Sequence, residues 1–410
     1  MVEALPTGFL STGSAWREIT VVEALARARA AAPQVGITRV TDITRLDRIG
    51  VPVAVGIRPN AMPGSLCVTA GKGLTLNDAL VGATMEGIEM AFSEPARGRV
   101  KVVMATARHV LDGQTRREAI TDFCLPWGTM VNLDAAFPCA WAEDIATGEK
   151  VLVPAESVFY PMPHPLGKLG TSTNGLASGS SVTEATLHAL AEVIERDAYS
   201  FHRLQNPPLI DSATLPEPLA GIDRRLTDQG FDTWYFYMVN PFGVPAIATS
   251  IYDLHDRRFL TSGQGCHLSP TIAAVRALTE AIQSRGSIIH GGRDDLVVIL
   301  NNHPARPWEQ MDEIYRSAKA ALAAGAPAVP FDGIPDASAE APTIPSAIAL
   351  LRARLAAQGF HRVLRVVLTP SDFPVQVVRV IVPGLERHAA DSNRIGPRLR
   401  KFFKGQLTYP

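Results

Sequence analysis

Cysteine is scarce: Cys67, Cys124, Cys139 and Cys266 are the four in 410 residues, with no CxxC pair and no histidine beside them at zinc-ligand spacing. A disulfide scaffold and a zinc ribbon are excluded, and reduced thiols are expected. An excess of charge is also lacking. With a formal net charge of -1 the chain has no long-range field to gather a polyanion, so no nucleic-acid partner is expected. The short basic run Arg394, Arg398, Arg400, Lys401 and Lys404 reads as a solvated face. No apolar run approaches the roughly 20 residues needed to span a bilayer, and Met1 to Trp16 lack a basic start followed by an apolar core. No membrane partner is expected, and the chain reads as cytoplasmic. Aromatics are few, at 7%, but 46% hydrophobic and 19% charged residues make an ordinary globular composition with about one to three cores.

What is present begins with a helical period over Ile19 to Ala31, ended by Ala32, Pro33 and Gly36. Val51 to Ile57 and Ser65 to Thr69 then read as strands around a turn at Pro59 to Gly64. Leu76 to Phe92 reads as a helix entered at Asn77 or Asp78. This order of strand, glycine-bearing turn and helix returns twice. Val151 to Tyr160 leads through a Gly/Ser loop to Thr183 to Leu204. Ile247 to Tyr252 and Arg258 to Thr261 lead through Gly263 to Ser269 into Thr271 to Ile289. The three units form a weak rhythm within one body. Residues 318–346 turn to Ala, Pro and Asp, which suits an extended surface connection. Beyond it, Ala347 to Gln358 reads as a helix, and Arg362 to Leu368 and Val375 to Val382 as strands.

On the second of these helices, Glu184, Glu192 and Glu195 stand at i, i+8 and i+11, within roughly 80° of one another. Like charges so placed oppose the helix, and Arg196 points only partly between them; a divalent cation would relieve the crowding. The plain alternative is an acidic helix exposed to solvent. Ala185, Leu187, Ala189, Val193 and Ile194 favour a groove instead, since they supply apolar neighbours on several sides. Upstream, Asn174, Gly175, Gly179, Ser180 and Ser181 form a donor-rich turn suited to an anion. Phosphate beside magnesium combines the two. A second ExxE, Glu86 and Glu89, follows Gly71, Lys72 and Gly73, which is not a Walker A loop. In the third unit Arg276, Glu280 and Gln283 share a helix face, and Arg293, Asp294 and Asp295 follow a Gly291-Gly292 turn. Two glutamate pairs with arginines and glycine turns could hold two magnesium ions on a nucleotide triphosphate. No nucleophile arrangement competes. His188 reads as a helix-face partner, His164, His267 and His290 lie near glycine turns, and Cys266 reads as buried packing.

These stretches resemble the YcaO family, in particular members that work with a TfuA-type partner in making backbone thioamides. The matching text is GITRVTDITRLDRIGVPV from Gly36, GKGLT from Gly71, NGLASGSSVTEATLHALAEVIERDA from Asn174, SGQGCHLSPTIAAVRALTEAIQSR from Ser262, RDD from Arg293 and VVRVIVPGLE from Val377. The resemblance implies an α+β fold with mixed sheets and helices and a nucleotide site between the strand-turn-helix units. It divides the chain into a helical lead-in (1–35), a nucleotide-binding catalytic body (36–317), the Ala/Pro-rich connection (318–346) and an α/β segment completing the domain (347–410).

The activity implied is phosphorylation by ATP of a peptide carbonyl oxygen after a nucleophile has added to its carbon. External sulfide gives a thioamide, and a neighbouring Cys, Ser or Thr side chain gives an azoline. By motif, Glu86 and Glu192 share one Mg2+, Glu89 and Glu195 the other, and Glu184 with Arg196 holds the nucleotide. Arg17, Asn174, Gln283 and Arg293 are further nucleotide contacts. Three positions depart from the family pattern: Gly82 stands for a serine, Met90 for an arginine and Ala24 for a hydroxyl residue. The proline-rich tail of azoline-forming members does not match the closing Gly405 to Pro410, which tilts the expectation toward thioamidation. A non-catalytic scaffold is the alternative from another class. The expected partners are a peptide or protein substrate and a TfuA-like sulfide-delivering protein, and a homodimer is the default for an enzyme of this size.

Overall fold

The computed structural model describes residues 9–11, 13–95, 100–110, 120–130, 132, 134–162, 170–202, 204–205, 207–256, 260–295, 308–323, 328–387 and 394–410. Among them α1 (Val21–Ala31) starts where the Thr20 hydroxyl accepts the Glu23 N–H. Helix α2 (Leu76–Ser93) begins at Thr75 rather than at Asn77 or Asp78. The Thr75 hydroxyl and the Asp78 carboxylate satisfy each other's backbone N–H groups in a capping box, so Asp78 closes the cap instead of starting it.

Three sheets carry the body. Strands β3 (Arg39–Asp42), β4 (Val53–Ile57) and β5 (Val68–Lys72) form an antiparallel sheet in that order. A second sheet runs β6 (Val103–Thr106), β7 (Ala136–Asp144), β15 (Leu364–Val367), β16 (Gln376–Ile381), β9 (Leu176–Gly179), with β8 (Lys150–Pro154) also paired to β7. The third runs β13 (Leu260–Cys266), β12 (Ala246–Asp253), β11 (Phe231–Tyr237), β10 (Leu209–Ile210), β14 (Ala328–Val329). It is mixed, because β10 and β14 are parallel while its other pairs are antiparallel. A short pair, β1 (Leu10–Ser11) with β2 (Trp16–Arg17), lies near the start. The other helices are α3 (Val182–His202), α4 (Leu219–Asp228), α5 (Pro270–His290), α6 (Trp308–Ala323), α7 (Ile344–Ala357) and α8 (Pro397–Phe403). The α+β class with mixed sheets is as expected.

Helices α2, α3 and α5 lie on β4/β5, β9/β16 and β12/β13. The second expected unit is corrected: the strand that leads into α3 is β9, inside the expected Gly/Ser loop, while Val151 to Tyr160 gives β8 and a short 3-10 turn beside β7. The glycines expected in the turns of the three units belong largely to the strands. A Cβ on Gly71 would stand 2.0 Å from the Ala79 carbonyl oxygen of α2, and one on Gly265 would stand 2.1 Å from that of Ala273 in α5. Gly179 of β9 meets the Ala185 nitrogen of α3 in the same way, at 2.6 Å. These glycines serve close approach of helix backbone to strand backbone rather than a bend.

Two further expectations are corrected. Residues 318–346 are not an extended surface connection. Their described part closes α6, adds β14 to a sheet, and buries Phe331, Ile334, Ala337 and Ala341. The basic run is not wholly solvated: Arg394 is buried and donates to the Cys124 carbonyl, and Arg398 pairs with the fully buried Asp197. The four cysteines are free thiols, as expected. No described helix is long and apolar enough to cross a membrane. His164 and Arg258 lie outside the described residues.

Candidate active site

A cavity of about 440 Å3 opens where α2, α3 and α5 converge. That is the size of a small-molecule site. Arg17, Glu86, Glu89, Glu184, Glu192, Arg196, Gln283 and Arg293 line it, as do Lys72, His188, Arg276 and Glu280. Helical spacing turns Glu184, His188 and Glu192 toward it from α3, while Leu190, Ile194 and Ala198 enter the core on the other side.

Three carboxylates share one arrangement. The Ala70 N–H donates to Glu86 Oε2 at 2.6 Å, and the Gly175 N–H donates to Glu192 Oε1 at 3.1 Å. Ser178 donates to Glu89 Oε1 from its N–H at 2.7 Å and its hydroxyl at 2.6 Å. In each case the second oxygen has no hydrogen-bond partner among the described residues. Backbone of β5, of β9 and of the turn just before β9 thus fixes one oxygen and leaves the other for a cation. Desolvation raises the carboxyl pKa of Glu86 and Glu192 above the usual range, although Arg293 and Arg196 oppose it. Burial lifts Glu89 to about 8 against the Ser178 hydrogen bonds, with the charges of Glu86 and Glu192 adding to the rise. Burial and then Glu280 lift Glu195 to about 7. Carboxylates held in place yet short of positive charge are what a divalent cation neutralises.

The cations are distributed among these groups. Arg17 Nη1 reaches Glu184 Oε1 at 3.0 Å, and Ser180 Oγ and the Glu18 N–H bind Glu184 Oε2 at 2.6 and 3.0 Å. Lys72 Nζ lies 2.5 Å from Glu280 Oε2. Burial opposes ionisation of Glu280, but Lys72 and Arg196 hold its pKa below the ordinary value. Among the described residues no three carboxylate, imidazole or thiol groups form a ready metal cluster. Magnesium does not need one, since it uses one or two carboxylates with phosphate oxygens and water. The donor set, with Arg17, Lys72, Arg196, Arg276 and Arg293 around the same cavity, therefore fits a nucleotide triphosphate with Mg2+.

Two candidate residues stand apart from the lining. Glu195 is 3% exposed and lies beneath it, 4.0 Å from the Arg196 Nε. Asn174 lines a small separate cavity of about 30 Å3 with Cys124 and Arg387. Its carbonyl accepts from Arg379, and its buried Oδ1 has no partner among the described residues. Glu280 is the carboxylate that sequence reasoning left without a role. Its shared helix face with Arg276 and Gln283 was the available signal, but its partner Lys72 is 208 residues away. The three departures, Ala24, Gly82 and Met90, also line the cavity. A Cβ at Gly82 would lie 3.2 Å from the Gly71 Cα, so glycine there permits the close α2 contact. Met90 is 2% exposed and packs into the apolar core where the family pattern has arginine.

A cavity of anchored carboxylates and cations among three strand and helix units defines an enzyme class that handles phosphate with a divalent metal. The chain belongs to the YcaO family: the family model, described as YcaO cyclodehydratase, ATP- and Mg2+-binding, matches residues 70–386. ATP and Mg2+ are thus the cofactors of its family. An uncharacterized protein of Methanothermobacter thermautotrophicus is 35% identical over 374 residues, covering 89% of this chain and 94% of that relative. A Rhizobium leguminosarum bv. trifolii protein named as lying in the tfuA 3' region is 32% identical, covering 90% and 88%. The structure of YcaO from Methanopyrus kandleri bound with AMPPCP and Mg2+ shares the fold, with a TM-score of 0.74 at 24% identity over 94% of this chain and 96% of that one.

Proposed function

We propose that the chain activates a peptide backbone amide, using ATP and Mg2+ to install a thioamide with sulfide delivered by a TfuA-like partner. The carrying observation is the set Glu86, Glu89 and Glu192, each with one oxygen fixed by backbone N–H and one open to the cavity. Bound ATP supplies the phosphoryl group that turns the amide oxygen, a poor leaving group, into a good one. Glu86 with Glu192, and Glu89 with Glu195, hold the two metal ions in this reading. Glu195 lies one layer back from the lining and would complete the second site in this reading. Glu184 fixes Arg17, and with Arg196 these orient the nucleotide, while Lys72, Gln283 and Arg293 face its phosphates. Asn174 acts from behind the site, through the adjoining Gly175 whose N–H anchors Glu192.

The tfuA neighbourhood of the Rhizobium relative favours sulfide as nucleophile. The cyclodehydratase description of the family favours the second reading, azoline formation on a ribosomal peptide. Mass spectrometry of a co-expressed peptide separates them: oxygen-to-sulfur exchange adds about 16 Da, and azoline formation removes about 18 Da, by the atoms each nucleophile contributes. Loss of water would sink the thioamide reading. An unchanged peptide together with no Mg2+-dependent nucleotide binding would leave a scaffold.

A further inference from the structure

Most cations around the cavity are already matched by carboxylates. Arg17 holds Glu184, Lys72 holds Glu280, and Arg293 donates to both oxygens of Asp295 at 2.9 and 2.7 Å. Arg276 differs. Its Nη2 meets His188 Nε2 at 2.9 Å, and among the described residues it forms no ion pair and its buried Nε has no hydrogen-bond partner. A guanidinium can only donate, so Nε2 of His188 accepts and the ring carries its proton on Nδ1. The imidazole is therefore neutral. Burial, followed by the charges of Arg276, Arg17 and Lys72, pushes its pKa well below the usual histidine value, which agrees with that tautomer.

We propose that His188 is a positioning residue that aims the Arg276 guanidinium into the cavity without cancelling its charge, leaving that charge for the phosphate oxygens of a bound nucleotide. A carboxylate at this place would hold the guanidinium equally well but neutralise it. An apolar side chain would release it toward Glu192 and Glu195, whose burial-raised pKa values its charge partly offsets. The placement suits the role: His188 lies one turn from both Glu184 and Glu192 on α3, and Arg276 one turn before Glu280 on α5. The inference rests on the nucleotide reading of the cavity.

Calorimetric titration with AMPPCP and Mg2+, beside adenosine as a phosphate-free probe, tests it. His188→Leu and His188→Glu are expected to weaken AMPPCP binding about tenfold or more, the scale of one charge-assisted hydrogen bond. His188→Gln, whose amide oxygen can accept from Arg276, is expected to stay within about threefold of the wild type. Adenosine affinity should not change in any of them. Because His188 acts through Arg276, the double variant His188→Leu/Arg276→Gln should bind no more weakly than Arg276→Gln alone. Wild-type affinity in a folded His188→Leu chain, or additive losses in the double variant, would overturn the proposal. Should His188→Leu fail to fold, equal affinities of His188→Gln and His188→Glu would overturn it instead. A wild-type chain that binds no AMPPCP overturns the nucleotide reading and this inference together, a result distinct from those.

Discussion

Glu192 concentrates the logic of the site in one side chain, since one oxygen belongs to the fold and the other to the ligand. Glu192→Gln keeps an acceptor for the Gly175 N–H, so the melting temperature should hold while Mg2+-dependent AMPPCP affinity falls at least about tenfold. Equal affinity in calorimetry would remove Glu192 from the metal site. A different carboxylate governs response to acid. Burial acts to raise the pKa of Asp253, but Arg48 at 2.8 Å and Arg285 at 3.0 Å overcome it and hold the group below the usual aspartate value. Its ion pairs therefore contribute stability above pH ~4 that is lost as pH falls through the lower folded value. Asp253→Asn should lower stability at neutral pH and flatten its decline in that acid range, as urea titrations at several pH values would reveal.

Helix α3 is the most legible element, because its glutamates and apolar residues repeat at helical spacing. Its core face predicts its stability: Ile194→Ala should cost about 2–5 kcal/mol by denaturant unfolding. What sequence could not convey was the use of each glycine. Gly71 and Gly265 look like turn residues, but only the packed helix shows that a Cβ would strike backbone there. Gly265→Ala should consequently cost more than an ordinary strand substitution, about 3 kcal/mol or more. Strands β7 and β11 pair mainly with their sequence neighbours β6, β8 and β12, but they lack the acidic helix and glycine pattern that makes the three units legible. The outward placement of Asn174 depends on a distant segment instead, since its carbonyl accepts from Arg379.

Across the whole molecule, the later residues brace the site helix from behind. Asp197 follows Arg196 on α3, is fully buried, and accepts from the Glu386 N–H at 2.7 Å, the Tyr409 hydroxyl at 3.1 Å, and Arg398. Asp197→Ala leaves Arg398 without its counter-charge and should destabilise the fold by about 3–5 kcal/mol in urea. This bracing explains why residues near the cavity depend on segments some 200 positions away, which no local pattern reveals. The glycine contacts have a dynamic counterpart. With backbone against backbone, α2 cannot slide along β5, nor α5 along β13, so any closure around a ligand must rotate these strand and helix pairs as blocks. In amide hydrogen exchange, the Gly71 strand and its helix should open together in one cooperative step, and the Gly265 pair in another of its own.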